Sequence, residues 1–349
     1  MTRTIWLIRH AMPDIPLGER WCVGGRSDFP LGTLGRLQAA LLPFAPELRD
    51  TEAVFCSPLL RAIETARPLC AEPRIMPGLE EQDMGAWDGL SFAEIKEKYP
   101  ALYAARERDP SLLPTGAESG EAVRARMEAA LRRCLDASAG NIAVVSHKGA
   151  IASLVGGREG LDYCSLTALR FEDGKLVSVQ KRGAPHPRLK DEVCAALLSA
   201  AGADKKRKAH CRAVALLADE LCTALREKGV VLDAETVHAA ALLHDIARGE
   251  TDHAALGCVW LRALGYPEIA DIIRQHHDPD GTQISEAAVV YIADKVVFGN
   301  TRVPIDKRFA ASLEKCTTPE AQEAHARRYE TARAIRNEIN RLCGEERIV

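Results

Sequence analysis

Apolar positions in the first half of the chain fall into short, β-branched runs. Thr4 to Ile8 reads TIWLI, Ala53 to Cys56 reads AVFC, and Asn141 to Ser146 reads NIAVVS. Each run is followed by helical patterning, the alternation that a sheet with covering helices requires. A hairpin is predicted over LTALRFEDGKLVSVQKRG, with Asp173-Gly174 at its turn. The pattern then changes. Gly183 to Leu189 (GAPHPRL) carries two prolines and a glycine, and beyond it the apolar period is helical almost to the end. This places a boundary near residue 187 and predicts two domains, an α/β domain over 1–186 and an all-α domain over 187–349, whose tail reads as further helix. No internal repeat or low-complexity tract interrupts either half.

Composition narrows the function classes. A chain of 349 residues suits about two domains of roughly 150 residues each. With 47% hydrophobic and 27% charged residues it has the balance of a folded globular protein. A net charge of −3 supplies no bulk attraction to nucleic acid or anionic membrane. The longest apolar runs fall short of the ~20 residues of a membrane helix, and the first residues enter a strand instead of a signal segment. A cytoplasmic location is the expectation. The 11 cysteines are scattered with no C-x-x-C pair, so they are expected to be small buried hydrophobes instead of disulfides or zinc ligands. The basic run Lys205 to Lys208 reads as a solvated helix start.

Two histidines stand directly after strands, His10 in IWLIRHAMPD and His147 in IAVVSHKG. Ligands of open α/β sheets collect beyond the carboxyl ends of strands, so both imidazoles are predicted to reach one crevice. The third strand ends in Ser57-Pro58, read as helix cap and first turn, which sets Arg61 in that turn. Arg9, Arg61, His10 and His147 together suit a dianionic phosphoryl group: guanidiniums offer forked hydrogen bonds and one imidazole can attack phosphorus. A leaving alkoxide needs a proton, which Glu80, Glu81 or Asp83 of GLEEQDMGAWDG could supply.

The stretches LIRHA, CSPLLRAIETA, LEEQDMGAWDGL and VVSHKG, in this order, resemble the histidine phosphatase (phosphoglycerate mutase-like) superfamily, including its α-ribazole phosphatase-like members. The resemblance spans roughly residues 3 to 182 and implies a three-layer α/β sandwich without a cofactor. It implies that His10 is the phosphorylated nucleophile, that Arg9, Arg61 and His147 complete the phosphate pocket, and that Glu81 is the proton donor. Ala11 departs from the usual glycine, which would strain the backbone if that position needs positive φ. Met12-Pro13 replaces a polar pair and removes possible substrate contacts. No long insertion near Glu81 offers a lid to exclude water, which disfavours a mutase.

The second half carries ionisable groups on apolar helix faces. His210 shares spacing with Val214, Leu217 and Leu221, His244 with Val237, Ala240 and Ala241, and Asp294 with Ala287, Val290 and Val297. Such groups are costly inside unless paired, and one metal could pair all of them. The series His210, His244-Asp245 and Asp294 resembles the HD-domain metal-dependent phosphohydrolases over about residues 187 to 300. The resemblance implies that His210, His244, Asp245 and Asp294 hold a first metal, and that His253 with His276 or His277 hold a second. His276 is favoured by its spacing, with His277 as spectator. Nitrogen and oxygen donors suit Fe, Mn, Co or Ni. His238 has no family counterpart and reads as surface or core.

The expected protein is therefore a two-domain phosphohydrolase acting on phosphorylated small molecules or nucleotides, without nucleic-acid or membrane partners. The two halves could act on linked substrates. The competing readings are an HD half that senses nucleotides without turnover, and a phosphoglycerate-type mutase.

Overall fold

The computed structural model describes residues 2–16, 18–344 and 348. The chain divides into two compact units, Met1–Pro187 and Arg188–Val349.

In the first unit, strands β1 (Thr2–Arg9), β2 (Thr51–Cys56), β3 (Arg74–Ile75), β4 (Asn141–Ser146), β5 (Leu166–Glu172) and β6 (Lys175–Arg182) form one sheet in the order β3-β2-β4-β1-β5-β6. The first four are parallel, while β5 runs against β1 and β6 against β5. Alternation along the strands builds a core on each face. Ile5, Leu7, Phe55, Ile142 and Val144 pack with Val123 and Met127 of α5 (Gly120–Asp136) and Ile151 of α6 (Lys148–Val155). Ile8, Val54, Ala143 and Val145 pack on the other face with Ala39 of α1 (Thr33–Ala40) and Ala62 and Ala66 of α2 (Leu60–Ala66). Apolar strands covered on both faces give the three layers. Two short helices, α3 (Phe92–Lys98) and α4 (Pro100–Arg108), gather around a satellite core of Cys22, Trp87 and Ile95. Asp173-Gly174 turns the β5–β6 hairpin with both φ angles positive, at 47° and 76°.

Two local expectations change. Ser57 does not cap α2, whose N-cap is Leu59 with no side-chain hydrogen bond. The Ser57 amide still donates to Val145 O in register with β4 (2.9 Å), which turns its hydroxyl towards His147 Nε2 at 2.8 Å instead of along the helix axis. Ala11 is absent from the positive-φ residues, so a methyl group there strains nothing.

The second unit consists of α7 (Asp191–Ala200), α8 (Lys205–Glu227), α9 (Ala234–Leu243), α10 (His253–Ala263), α11 (Pro267–Arg274), α12 (Glu286–Val296), α13 (Ile305–Leu313) and α14 (Pro319–Cys343), with a two-residue hairpin, β7 (Val297–Phe298) and β8 (Thr301–Arg302). Asp204 caps α8 by accepting the Arg207 amide, which makes Lys205 to Lys208 its first turn. The α8 stripe His210, Val214, Leu217, Leu221 and Leu225 is buried, and α12 is buried on nearly every side. Val297 leaves the α12 face to enter β7, and His244 caps the C-terminus of α9 instead of lying within it.

All eleven cysteines are free, and only Cys70 and Cys316 are even half-buried instead of buried. Burial pushes the thiols of Cys56, Cys134, Cys164 and Cys194 up to about 12.

His238 is neither core nor free surface. Its Nδ1 contacts both oxygens of Asp219 on α8 at 3.0 and 2.8 Å, and its Nε2 lies 2.8 Å from Asp191 on α7. The imidazolium thus ties three helices, and the bond to Asp219 above all raises its pKa from 6.5 to about 9. A raised folded pKa stabilises below the unfolded value and is lost as pH rises. The stability difference between the wild type and His238→Gln, measured by urea unfolding, should be full below pH 6.5 and shrink as pH rises through about 9.

Candidate functional site

Strand ends position the first site. His10 follows β1 and its amide donates to Ser146 O of β4, while His147 follows β4, so parallel pairing sets the two rings side by side, 5.0 Å apart. His10 Nδ1 lies 2.7 Å from Ala11 O. A carbonyl only accepts, so Nδ1 carries the hydrogen and Nε2 keeps its lone pair. Burial first, then Arg61 and Arg9, lower the His10 pKa well below 6.5, and burial with Arg61 does the same to His147. Both rings are neutral.

The two guanidiniums are held by carbonyls. Arg61 is fully buried and donates to Ser27 O (2.6 Å) and Gly24 O (2.9 Å). Thr65, one turn later, donates to Arg61 O and accepts from the Ala11 amide, tying α2 to the chain after β1. Arg9 donates to Leu161 O (2.9 Å) and stacks 3.8 Å from the ring centre of Tyr163. Sequence reasoning missed Tyr163, which no motif marks.

Arg9, His10, Glu81 and Tyr163 line a cavity of 550 Å³. The three candidate acids separate there. Glu80 accepts the Gly78 amide, and Asp83 pairs with Arg26 at 2.8 Å. Glu81 instead docks on the start of α6, accepting from the amides of Gly149 (2.9 Å) and Ala150 (3.0 Å). Arg126 steadies the preceding loop through Gly78 O, Glu80 O and Glu81 O while paired with Glu118. A β-carbon at Gly149 would collide with Glu81 Oε1, so any side chain there would displace the Glu81 carboxylate.

The second unit brings seven groups together. His210 comes from α8, His244 and Asp245 from the end of α9, His253 from the first turn of α10, His276 and His277 from the end of α11, and Asp294 from α12. Asp252 adopts left-handed backbone (φ 49°) as the α10 cap, which turns the chain into His253. Nδ1 of His210, His244 and His276 each meets a backbone carbonyl, those of Gly299 (2.8 Å), Ala241 (2.8 Å) and Ile273 (2.6 Å). That fixes the tautomer and aims each Nε2 inward, and Nε2 of His244 and His276 is buried without a partner.

Donor atoms of His210, His244 and Asp294 lie within 4.8 Å of one another, as do those of His253, His276 and His277. His277, expected to stand aside, belongs to the second group, with its Nε2 at 2.9 Å from His253 Nε2. Asp245 lies between the groups. Its Oδ2 is 3.6 Å from His244 Nε2 and 3.9 Å from His210 Nε2, and its Oδ1 is 3.4 Å from His253 Nε2 and 4.0 Å from His276 Nε2. Burial pushes Asp294 up, but Lys295, His210 and His244 hold it well below the carboxylate range. Burial, His244 and Lys295 push His276 down to about 3, the neutral ligand form. Orphaned inward nitrogens, fixed tautomers and two ionised carboxylates fit divalent cations.

Residues 5–185 match the family profile of the histidine phosphatase superfamily (branch 1). The chain belongs to this superfamily. In this histidine phosphatase the α/β domain is followed by an HD domain, matched over residues 207–298. A bifunctional protein of Mycobacterium tuberculosis is 33% identical over 155 residues, which is 43% of this chain and 42% of the relative. The match thus spans under half the length of that mycobacterial protein. The adenosylcobalamin/α-ribazole phosphatase of Salmonella typhimurium is 30% identical over 49% of this chain and 86% of its own length. The crystal structure of the α-ribazole phosphatase from Shigella flexneri aligns with 52% of this chain and 96% of its own, at 26% identity and a TM-score of 0.44. No helix among the described residues is long and apolar enough to cross a membrane.

Gly149→Ala should displace Glu81 and slow alkyl phosphates more than p-nitrophenyl phosphate, whose leaving group needs little protonation; steady-state kinetics on both reads this. In the histidine phosphatase's HD domain, stripping metal should lower thermal stability by about 3–4 kcal/mol, relative to free metal at roughly 100–1,000 times Kd. Asp245→Ala should abolish that response in calorimetry.

Proposed function

We propose that the protein is a two-domain phosphohydrolase whose first domain hydrolyses phosphomonoesters through a phosphohistidine on His10. One observation carries this reading: His10, whose Nδ1 is tied to Ala11 O so that Nε2 keeps its lone pair, lines a cavity shared with Arg9 and Glu81. Nε2 attacks phosphorus, the bond to the leaving oxygen breaks, and the carboxylic acid of Glu81 gives that oxygen its proton. Water then attacks the phosphohistidine, Glu81 takes the proton of that water, and inorganic phosphate leaves with His10 neutral again. Arg9, Arg61 and His147 stabilise charge on the phosphoryl oxygens. The name of the Salmonella relative puts α-ribazole phosphate among the substrates to try first.

The HD domain is proposed to hydrolyse a phosphoester or phosphoanhydride, including nucleotides, with Fe, Mn, Co or Ni. His210, His244, Asp245 and Asp294 would hold a first ion, and His253, His276 and His277 a second alongside Asp245. A bound divalent ion acidifies water and polarises phosphoryl oxygens. Arg248 hydrogen-bonds Asp245 Oδ2 (2.5 Å), the oxygen nearer His244, and Lys295 hydrogen-bonds Asp294 Oδ2 (2.6 Å), while Asp294 Oδ1 faces His210; both bonds fix the orientation of their carboxylates.

The test uses the full chain. Brief reaction with an aryl phosphate in the presence of chelator should leave an acid-labile, base-stable phosphoryl group on His10, found by mass spectrometry. His10→Ala should lose chelator-resistant turnover and keep Mn-dependent hydrolysis, and Asp245→Ala should do the reverse. Chelator-resistant turnover surviving in His10→Ala would overturn the first assignment. Elemental analysis showing no transition metal after loading would overturn the second.

A further inference from the structure

The cavity beside His10 holds more positive charge than one phosphoryl group needs. Beyond Arg9 its wall carries Arg20, which lies over the Phe92 ring at 4.6 Å, and a group of three further cations, Lys148, Arg158 and Arg106. Lys148 follows His147 at the first position of α6, and Arg158 rides the loop after α6, where Gly156, Gly157 and Gly160 all have positive φ. Such backbone lets the loop bend back so that Arg158 Nη2 meets Gln82 Oε1 at 3.5 Å. Arg106, on α4, lies over the Trp87 ring at 5.7 Å.

None of these three cations has a carboxylate partner among the described residues, whereas Arg26, Arg124, Arg126 and Arg170 of the same unit do. Glu107 lines the cavity too but pairs with none of them. The cations repel one another in sequence. After burial, Arg9 is the main cause lowering the Lys148 pKa, and after burial Arg158 is the main cause lowering that of Arg106. Arg106 also donates through Nη1 to Leu112 O, and a guanidinium offers five N–H donors, so others remain for an oxyanion. Glu81 and Glu107 line the same cavity, and Asp162 acts on Lys148, but the cations of the wall outnumber these carboxylates and, among the described residues, form no salt bridge with them, an excess that suits an anion.

We propose that Lys148, Arg158 and Arg106 form a second anion subsite, and that the substrate is a phosphomonoester whose leaving group carries a phosphate or carboxylate of its own. This rests on the reading of His10 as the phosphoryl acceptor. Trp21, Trp87 and Phe92 line the same cavity and supply apolar wall for the body of the leaving group.

The test compares three probes of equal chain length: an alkyl phosphate, an alkanediol bisphosphate and an ω-carboxyalkyl phosphate. Their affinities are measured by calorimetry on full-length His10→Ala protein with chelator present, so neither turnover nor metal binding in the HD domain contributes. At least one doubly anionic probe should bind about ten-fold or more tighter than the alkyl phosphate at low salt. Which one does so identifies phosphate or carboxylate as the second group. Lys148→Gln with Arg158→Gln should bring the ratio close to one, and Arg106→Gln should lower it. The same ratio taken as kcat/KM in the wild type replaces the binding data should His10→Ala fail to fold. Equal affinity for all three probes, or an advantage that survives the double variant, would overturn the subsite. Failure of the phosphoryl-acceptor reading is separate, since it is read from the adduct on His10.

Discussion

Buried guanidinium charge held by carbonyl oxygens is the constraint around which the first domain is arranged. Ser27 O and Gly24 O satisfy hydrogen bonds of Arg61, and Leu161 O with the Tyr163 ring does so for Arg9. Carbonyls complete hydrogen bonds without cancelling charge, so both guanidiniums keep their positive field. Arg61 is fully buried and Arg9 half-buried, and a fully buried charge costs several kcal/mol that a nearby anion offsets. Burial first, and then the same field, lower the pKa values of His10 and His147 well below the ordinary value. Parallel pairing of β1, β4 and β2 brings all of these groups to one end of the sheet.

The HD domain has the opposite polarity. There the buried charges are the carboxylates of Asp245 and Asp294, surrounded by imidazoles whose hydrogens are committed to backbone carbonyls. One domain gathers cationic groups at its site and the other carboxylates. Both orient their ionisable groups through backbone carbonyls, and in the HD domain Arg248 and Lys295 pair with the two carboxylates.

Strand-end histidines, the arginine of CSPLLRA and the spaced histidines of the helical half were legible because each sits at a fixed offset in an apolar pattern. What the sequence could not express were partners set by tertiary geometry. Nothing near Ser57 indicates that its hydroxyl serves His147 across two strands, because local chemistry favours a cap. Nothing near Tyr163 announces that its ring carries Arg9, from the other end of the domain. His277 reads as a spectator from spacing, yet the turn after α11 swings its ring to His253. His238 has no periodic signal, since its two partners lie on other helices. The α3–α4 pair, which walls the cavity with Phe92 and Arg106, lacks the alternation that marks sheet and covering helices.

The burial of the cysteines has a consequence for kinetics. A thiol reacts as thiolate; burial shields nine of the eleven from reagents and raises the pKa of seven of these, Cys22, Cys56, Cys134, Cys164, Cys194, Cys211 and Cys222. Reaction of such a thiol reports the opening of its surroundings, not the chemistry of the sulfur. Cys56, Cys134 and Cys164 belong to the first unit, and Cys194, Cys211 and Cys222 to the second. The chain therefore carries its own clocks, which time the opening of each domain separately within one intact molecule.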